Sequence, residues 1–307
     1  MLDVFDVVIV GGGPAGLSAA LVLGRCRRRV LICDAGEPRN ASARALHGYL
    51  TRDGTPPLEL IRLGRDELHQ YGIVPRQVVV TDVTPTADGF AVTLADGDRI
   101  LARAVLIATG MRDALPQIAG LDACYGVSMH HCPYCDGWEV SDKAVAVIGE
   151  TRSPTGLALS LKTWTDRVLA FTNGRVRVSP AQRRQLEAHA IPLYTSRIVG
   201  AEHDNGWIKR LTLADGTRVE CEAVFFTAPQ WQQSELAVRL GCEFTRRGTV
   251  KTDRLGHTCV PGVYVVGDAS RDVQFVVVAA AEGAKAGVAI NKALQSLAGL
   301  AAEKVGA

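Results

Sequence analysis

Two kinds of apolar pattern alternate along the chain: short unbroken runs, and longer stretches in which apolar residues are spaced among polar ones. Val7-Val8-Ile9-Val10 is of the first kind, the signature of a central parallel strand covered on both faces. The alanine- and leucine-rich stretch from Ala15 to Leu23 predicts a helix, and Val30-Leu31-Ile32-Cys33 a second strand ending at Asp34. Farther on, the stretch from Pro56 to Tyr71 sets Leu58, Ile61, Leu63 and Leu68 among charges, as an amphipathic helix does. Short alternating strands follow from Val78 to Leu106, broken by the turn signals Asp88-Gly89 and Asp96-Gly97. Val105-Leu106-Ile107-Ala108 then runs as a buried strand into Thr109-Gly110.

The same succession recurs. A strand is predicted at Ala144 to Gly149, a helix from Thr155 to Thr165, and a strand at Val168 to Phe171. A helix from Pro180 to His189, short strands about Asp215-Gly216 and the run Val224-Phe225-Phe226 complete the second unit. Two units of one order predict an α/β fold with two Rossmann-like, three-layer nucleotide-binding domains. The tail returns to the first style with Val263-Tyr264-Val265-Val266-Gly267-Asp268 and a helix from Phe275 to Leu297. The second domain is therefore expected as an insertion: residues 1–116 and 245–307 form the outer domain, 117–244 the inserted one.

Composition narrows the function classes. Among 307 residues, 47% are hydrophobic and 21% charged, ordinary for a globular chain too long for one core. The net charge is +2 and the longest basic run is Arg27-Arg28-Arg29, so the clustered footprint of a nucleic-acid binder is missing. The apolar N-terminus reads as a strand rather than a signal peptide, and no apolar stretch is long enough to cross a membrane. Eight cysteines in such a chain point to the cytoplasm, a reducing compartment where conspicuous cysteines are catalytic or metal-binding.

The chemistry concentrates in three places. Gly11, Gly13 and Gly16 have G-x-G-x-x-G spacing, with Pro14 and Ala15 between, set between a strand and a helix. The first glycine permits the turn, the second lets backbone approach a pyrophosphate, and the third lets helix and strand pack closely. Asp34, 18 residues beyond Gly16, suits a ribose hydroxyl. Gly267-Asp268 at the end of a late strand suits a ribityl hydroxyl, and together these motifs favour FAD over NAD. Third, Cys132-Pro133-Tyr134-Cys135 is a C-x-x-C, which can close a reversible disulfide and commonly has one thiol of lowered pKa. Zinc is the rival reading, because His130 and His131 flank the pair, but a structural site needs further spaced ligands. Asp136 and, less directly, the two histidines are candidates for moving the proton that thiol exchange requires. Cys26, Cys33 and Cys124 read as small buried residues, while Cys221, Cys242 and Cys259 are scattered.

Gly11-Gly12-Gly13-Pro14-Ala15-Gly16, Ala108-Thr109-Gly110, Cys132-Pro133-Tyr134-Cys135-Asp136-Gly137 and Val266-Gly267-Asp268 stand in one order. In that order they resemble the low-molecular-weight thioredoxin reductases over almost the whole chain. The resemblance implies a homodimer with FAD in the outer domain, NADPH in the inserted one, and a domain rotation that carries the dithiol between flavin and thioredoxin. It also implies that Cys135 faces the flavin, Cys132 attacks the protein substrate and Asp136 gives the proton. Thr109 and Gly110 would sit at the flavin crossover, and Gln274 and Phe275 near the flavin, where the family usually has Arg-Gln-Ala.

The inserted domain departs from the family. Its second glycine motif is replaced by Gly149-Glu150-Thr151-Arg152-Ser153-Pro154-Thr155-Gly156, and its His-Arg-Arg run by Phe171-Thr172-Asn173-Gly174. Losing two or three charge-assisted bonds of roughly 1.5–3 kcal/mol each costs about 100-fold or more in affinity. NADPH binding is therefore not expected, although Arg175 and Arg177 could replace part of the lost grip. The readings rank as a thioredoxin reductase with another, ferredoxin-like donor, then a dioxygen-dependent oxidase of small dithiols, then an NADPH-dependent reductase. A non-catalytic flavin-binding sensor is the reading from another class.

Overall fold

A computed structural model describes residues 3–227, 229–271 and 273–300. Residues 301–307, assigned above to the outer domain, lie outside the described residues. The chain divides into two units: residues 1–41, 57–112 and 231–307, and residues 42–56 and 113–230.

The first unit opens with β1 (Val4–Val10), α1 (Pro14–Arg25), β2 (Val30–Asp34), α2 (Pro57–His69) and β3 (Arg76–Gln77). β4 (Val80–Thr86), β5 (Gly89–Leu94) and β6 (Arg99–Ile107) then form an antiparallel meander. The second unit is reached through β7 (Met111–Asp113) and contains β8 (Met129–His130), α3 (Pro133–Asp136), β9 (Val145–Gly149), α4 (Thr155–Leu161) and β10 (Val168–Phe171). It continues through α5 (Pro180–Ala188), β11 (Leu193–Tyr194), the antiparallel strands β12 (Ile198–Asp204), β13 (Trp207–Leu213) and β14 (Arg218–Glu220), and β15 (Ala223–Thr227). After β16 (Gln230–Gln232), the chain completes the first unit with α6 (Leu236–Arg239), β17 (Val263–Val265) and α7 (Val276–Leu297).

The parallel part of the first sheet has the order β3-β2-β1-β6, and β6 serves two partners on its far side. Its residues 99–102 pair with β5 and its residues 105–107 with β17. The second unit's sheet runs β11-β10-β9-β15-β8, parallel throughout. Both contain the switch that leaves an open crevice at the carboxyl ends of the strands, since the central pair sends its crossovers in opposite directions. β8 occupies in the second sheet the place that β17 occupies in the first.

Burial explains the apolar runs: Val7, Val8 and Ile9 are fully inaccessible, with Ile9 packed on one face of the sheet and Val8 on the other. On the first face α1 lies against α7 through small residues. A Cβ on Gly283 would stand 2.0 Å from the Ala15 carbonyl oxygen. Gly283→Ala is expected to push the helices apart and destabilise the chain by about 1–3 kcal/mol. A lowered urea midpoint with unchanged slope would show it; an unchanged midpoint would refute the packing argument.

Candidate active site

Gly11, Asp34, Thr109, Gly110, Gly267 and Asp268 lie at or just beyond the carboxyl ends of the first unit's parallel strands. Gly11 follows β1, with φ +109, and a Cβ there would meet the Ala108 carbonyl oxygen at 2.4 Å. A Cβ on Gly16 would lie 1.9 Å from the Gly11 carbonyl oxygen, so Gly16 serves the helix–strand packing expected of it. Gly13, the N-cap of α1, differs: nothing lies within 4 Å of its Cβ position. Pro14 is the first helical residue, where its missing N–H costs nothing, and Ala15 is buried behind it.

Asp34 ends β2, and its Oδ2 accepts from Arg65 Nη2 at 2.5 Å. Thr109 and Gly110 follow β6, and Thr109 Oγ1 is buried without a hydrogen-bond partner in the chain. Gly267 begins a short 3-10 turn after β17, and its N–H donates to Glu282 Oε2 at 2.9 Å. Glu282 also pairs with Arg271, so this buried carboxylate anchors the turn. Asp268 accepts from Arg39 Nη1 at 2.9 Å, and the same nitrogen donates to Gln274 Oε1 at 2.6 Å. Phe275 is the N-cap of α7. The turn, the open face at Gly13, the unpartnered threonine hydroxyl and two acids on separate strand ends fit a dinucleotide such as FAD. Arg39, Arg65 and Glu282 were not singled out from sequence; Arg39 is 229 residues from Asp268, and no motif connects them.

In the second unit Cys132 and Cys135 close a disulfide, with Cα atoms 5.3 Å apart. Cys132 follows β8 and is the N-cap of α3, a single helical turn started by Pro133. Cys135 N donates to the Cys132 carbonyl oxygen at 3.1 Å, so the turn itself holds the two sulfurs in reach. Gly137 is required by its surroundings: a Cβ would lie 2.4 Å from the Pro133 carbonyl oxygen and 2.7 Å from the Trp164 ring. Asp136 Oδ1 lies 3.2 Å from His130 Nδ1, whereas the His131 ring is set edge-on to Phe226. Tyr134, between the two cysteines, and Trp138, just beyond them, carry exposed aromatic rings.

The second cleft has a different lining. Glu150, directly after β9, is 8% exposed in its side chain. Its carboxylate accepts from Asn173 Nδ2 at 2.8 Å and Arg175 Nη1 at 2.7 Å. Asn173 has φ +49 and its Oδ1 accepts from Ile198 N, so it is committed to the loop. Ser153 and Thr155 bond to each other at 2.8 Å, and Thr227 Oγ1 donates to the Arg152 carbonyl oxygen. Arg175, a candidate replacement for the missing phosphate grip, is thus engaged with Glu150.

Comparison with known proteins fits this geometry. Residues 5–283 match the model of the pyridine nucleotide-disulphide oxidoreductases. The chain belongs to that family. It is therefore a disulfide oxidoreductase, an enzyme. This oxidoreductase is 31% identical to a probable thioredoxin reductase of Arthroderma benhamiae, over 87% of this chain and 74% of the relative. It is 29% identical to the thioredoxin reductase sirT of Leptosphaeria maculans, over 94% of each. The crystal structure of HlmI superposes with a TM-score of 0.92 at 37% identity, covering 96% of this chain and 94% of that one. No helix among the described residues is long and apolar enough to cross a membrane.

The other cysteines of this oxidoreductase include one correction. Cys33 and Cys124 are buried as expected, but Cys26 is exposed, because it caps the end of α1 between Arg25 and Arg27. Burial pushes the Cys33 thiol up to about 11 and the Cys221 thiol up to about 12. At pH 8 a thiol of pKa about 11 is about one part in a thousand thiolate, the reactive form. Brief iodoacetamide treatment of the folded, dithiol-reduced protein is expected to label Cys132 and Cys135 and to spare Cys33 and Cys221. Peptide mass mapping reads the outcome. A second expectation concerns the first cleft. Gly13→Leu has room and an ordinary backbone, so folding should persist, while the new side chain should weaken FAD by about 5- to 150-fold. Titration of the stripped protein by flavin fluorescence measures this; undiminished affinity would place the cofactor elsewhere.

Proposed function

We propose that the chain is an FAD-dependent thiol–disulfide oxidoreductase in which electrons pass between FAD, the Cys132–Cys135 pair and a dithiol substrate, without NADPH. The observation that carries the last clause is the Glu150–Asn173–Arg175 cluster in the second cleft. Turning Arg175 toward a ribose phosphate would gain about 1.5–3 kcal/mol and strip a buried carboxylate of a partner, at a cost of about 1–3 kcal/mol or more. The exchange yields no net grip, and Glu150 would still confront a phosphate with like charge.

When bound, FAD supplies a two-electron acceptor and donor for the dithiol. Gly13 leaves space for its pyrophosphate, Asp34 and Asp268 offer acceptors to its hydroxyls, and Thr109 offers an unpaired donor. Arg39 orients Asp268 and Gln274 together. Cys132 and Cys135 exchange with the substrate sulfurs, and Asp136 holds the proton that the leaving thiolate takes. The direction is set by relative potentials, with 30 mV worth about 1.4 kcal/mol. The oxidising direction needs only these groups, a small dithiol and dioxygen, so we assign the chain to dithiol oxidation. Reduction of thioredoxin with electrons from a ferredoxin-like donor is the second reading, favoured by the names of the fungal relatives. Six free cysteines suit a reducing compartment such as the cytoplasm, and the family likeness suits a homodimer.

The test is anaerobic mixing of the yellow protein with NADPH or with dithiothreitol, followed by flavin absorbance. Bleaching by dithiothreitol and not by NADPH is expected, with dithiol-dependent oxygen consumption on return to air. Rapid bleaching by NADPH would refute the nicotinamide-free reading. Absence of oxygen consumption, with thioredoxin reduced from a ferredoxin-like donor, would select the second direction.

A further inference from the structure

His130 ends β8, the edge strand of the second sheet, and lies in register with Phe225 of β15. The Phe225 ring is 5.5 Å away, tilted by 40°, and His130 is 9% exposed. A histidine so enclosed has few orientations, and the one it takes sets Nδ1 3.2 Å from Asp136 Oδ1. Asp136 stands on the other side of the disulfide in sequence, at the end of the one-turn helix α3. The two therefore bracket the pair, one held by the sheet and one carried on the turn.

We infer that His130 is the positioning residue for Asp136, holding its carboxyl in the orientation from which it exchanges a proton with the sulfur pair. The inference rests on the thiol–disulfide chemistry proposed above. A substrate thiolate, its proton already released to water, attacks one sulfur of the pair. The Cys132–Cys135 bond breaks, a mixed disulfide forms, and the electron pair goes to the other sulfur, which takes the proton from the Asp136 carboxyl. The second substrate thiol gives its proton to the Asp136 carboxylate and attacks the substrate sulfur of the mixed disulfide. The substrate is oxidised to its disulfide, the pair is left as a thiol and a thiolate, and Asp136 is protonated again. Between the two transfers Asp136 is charged, and an Nδ1–H donated from His130 holds it in place for the return.

The test uses the full-length FAD-loaded protein in anaerobic stopped flow with dithiothreitol, reading the bleaching rate at saturating dithiol separately from the half-saturating concentration. His130→Phe is expected to slow the saturating rate by about 10- to 100-fold and to leave half-saturation within about twofold. His130→Asn, whose amide nitrogen can stand where Nδ1 stands, should recover the rate to within about fivefold of the natural protein. If His130→Phe fails to fold, His130→Gln replaces it: its amide mimics Nε2 instead of Nδ1, and the same slowing is expected. Combined with Asp136→Asn, the His130 substitution should add no further slowing, because the ring acts through the carboxyl alone. A merely structural histidine would give independent, multiplicative effects, and that result, or an unslowed His130→Phe, overturns the inference. Failure of dithiothreitol to bleach the natural protein would instead overturn the functional reading, and that control is measured first.

Discussion

A carboxylate withdrawn from water must find donors, and Glu150 finds them in the loop where the fold would otherwise receive a nucleotide phosphate. The functional reading depends on this one arrangement. Asn173 and Arg175 hold the carboxylate from two sides, and Asn173 in turn fixes the start of β12. Freeing any member leaves a charge or an amide unsatisfied. The loop is consequently stable as it stands, closed by its own side chains.

The two units make the same point by contrast. Both sheets expose carboxyl ends at a switch of connection, with Gly11 just after the central strand of the first and Gly149 the last residue of the central strand of the second. In the first, Gly13 faces open space and Thr109 Oγ1 has no partner; in the second, Thr151 stands at that glycine's position, and the Glu150 carboxylate beside it is held by Asn173 and Arg175. The outermost positions differ as well. β17 leads into a turn that presents Asp268, while β8 leads into the turn that closes the disulfide. One topology has thus placed a cofactor-type acid and a redox pair at equivalent ends of two sheets. That equivalence follows from parallel strands delivering their loops to one edge.

Much of this was legible in residues because local chemistry demanded it. Gly11, Gly16 and Gly137 are dictated by backbone or ring atoms less than 3 Å from where a Cβ would be. The apolar runs at Val7 to Val10 and Val145 to Ile148 read as interior strands, and both are buried. What escaped was pairing across distance. Arg39 meets Asp268, and Arg65 meets Asp34, through folding that no spacing rule encodes. Cys26 looked like an interior cysteine because composition alone cannot tell the last residue of a helix from one turn earlier. The second glycine motif was visibly broken, by Thr151 at its second glycine and the charge of Glu150 beside it, but the closed cluster around Glu150 required Asn173 and Arg175 to be seen with it.

The histidine beside the disulfide belongs to the same class of hidden pairing. His130 and Asp136 are only six residues apart, yet that spacing carries no helical or strand rule, because a strand end, the disulfide and a proline-started turn intervene. Zinc was a reasonable rival while the histidines were known only as neighbours of two cysteines. With the sulfurs joined to each other, the His130 imidazole faces the Asp136 carboxyl. On the proposed reading each turnover takes a substrate dithiol to its disulfide, so protons must be exchanged at the sulfurs as electrons pass through them. On that reading, the group that handles those protons has to sit on the unit that carries the sulfurs, and Asp136 does so, with His130 of the sheet beside it.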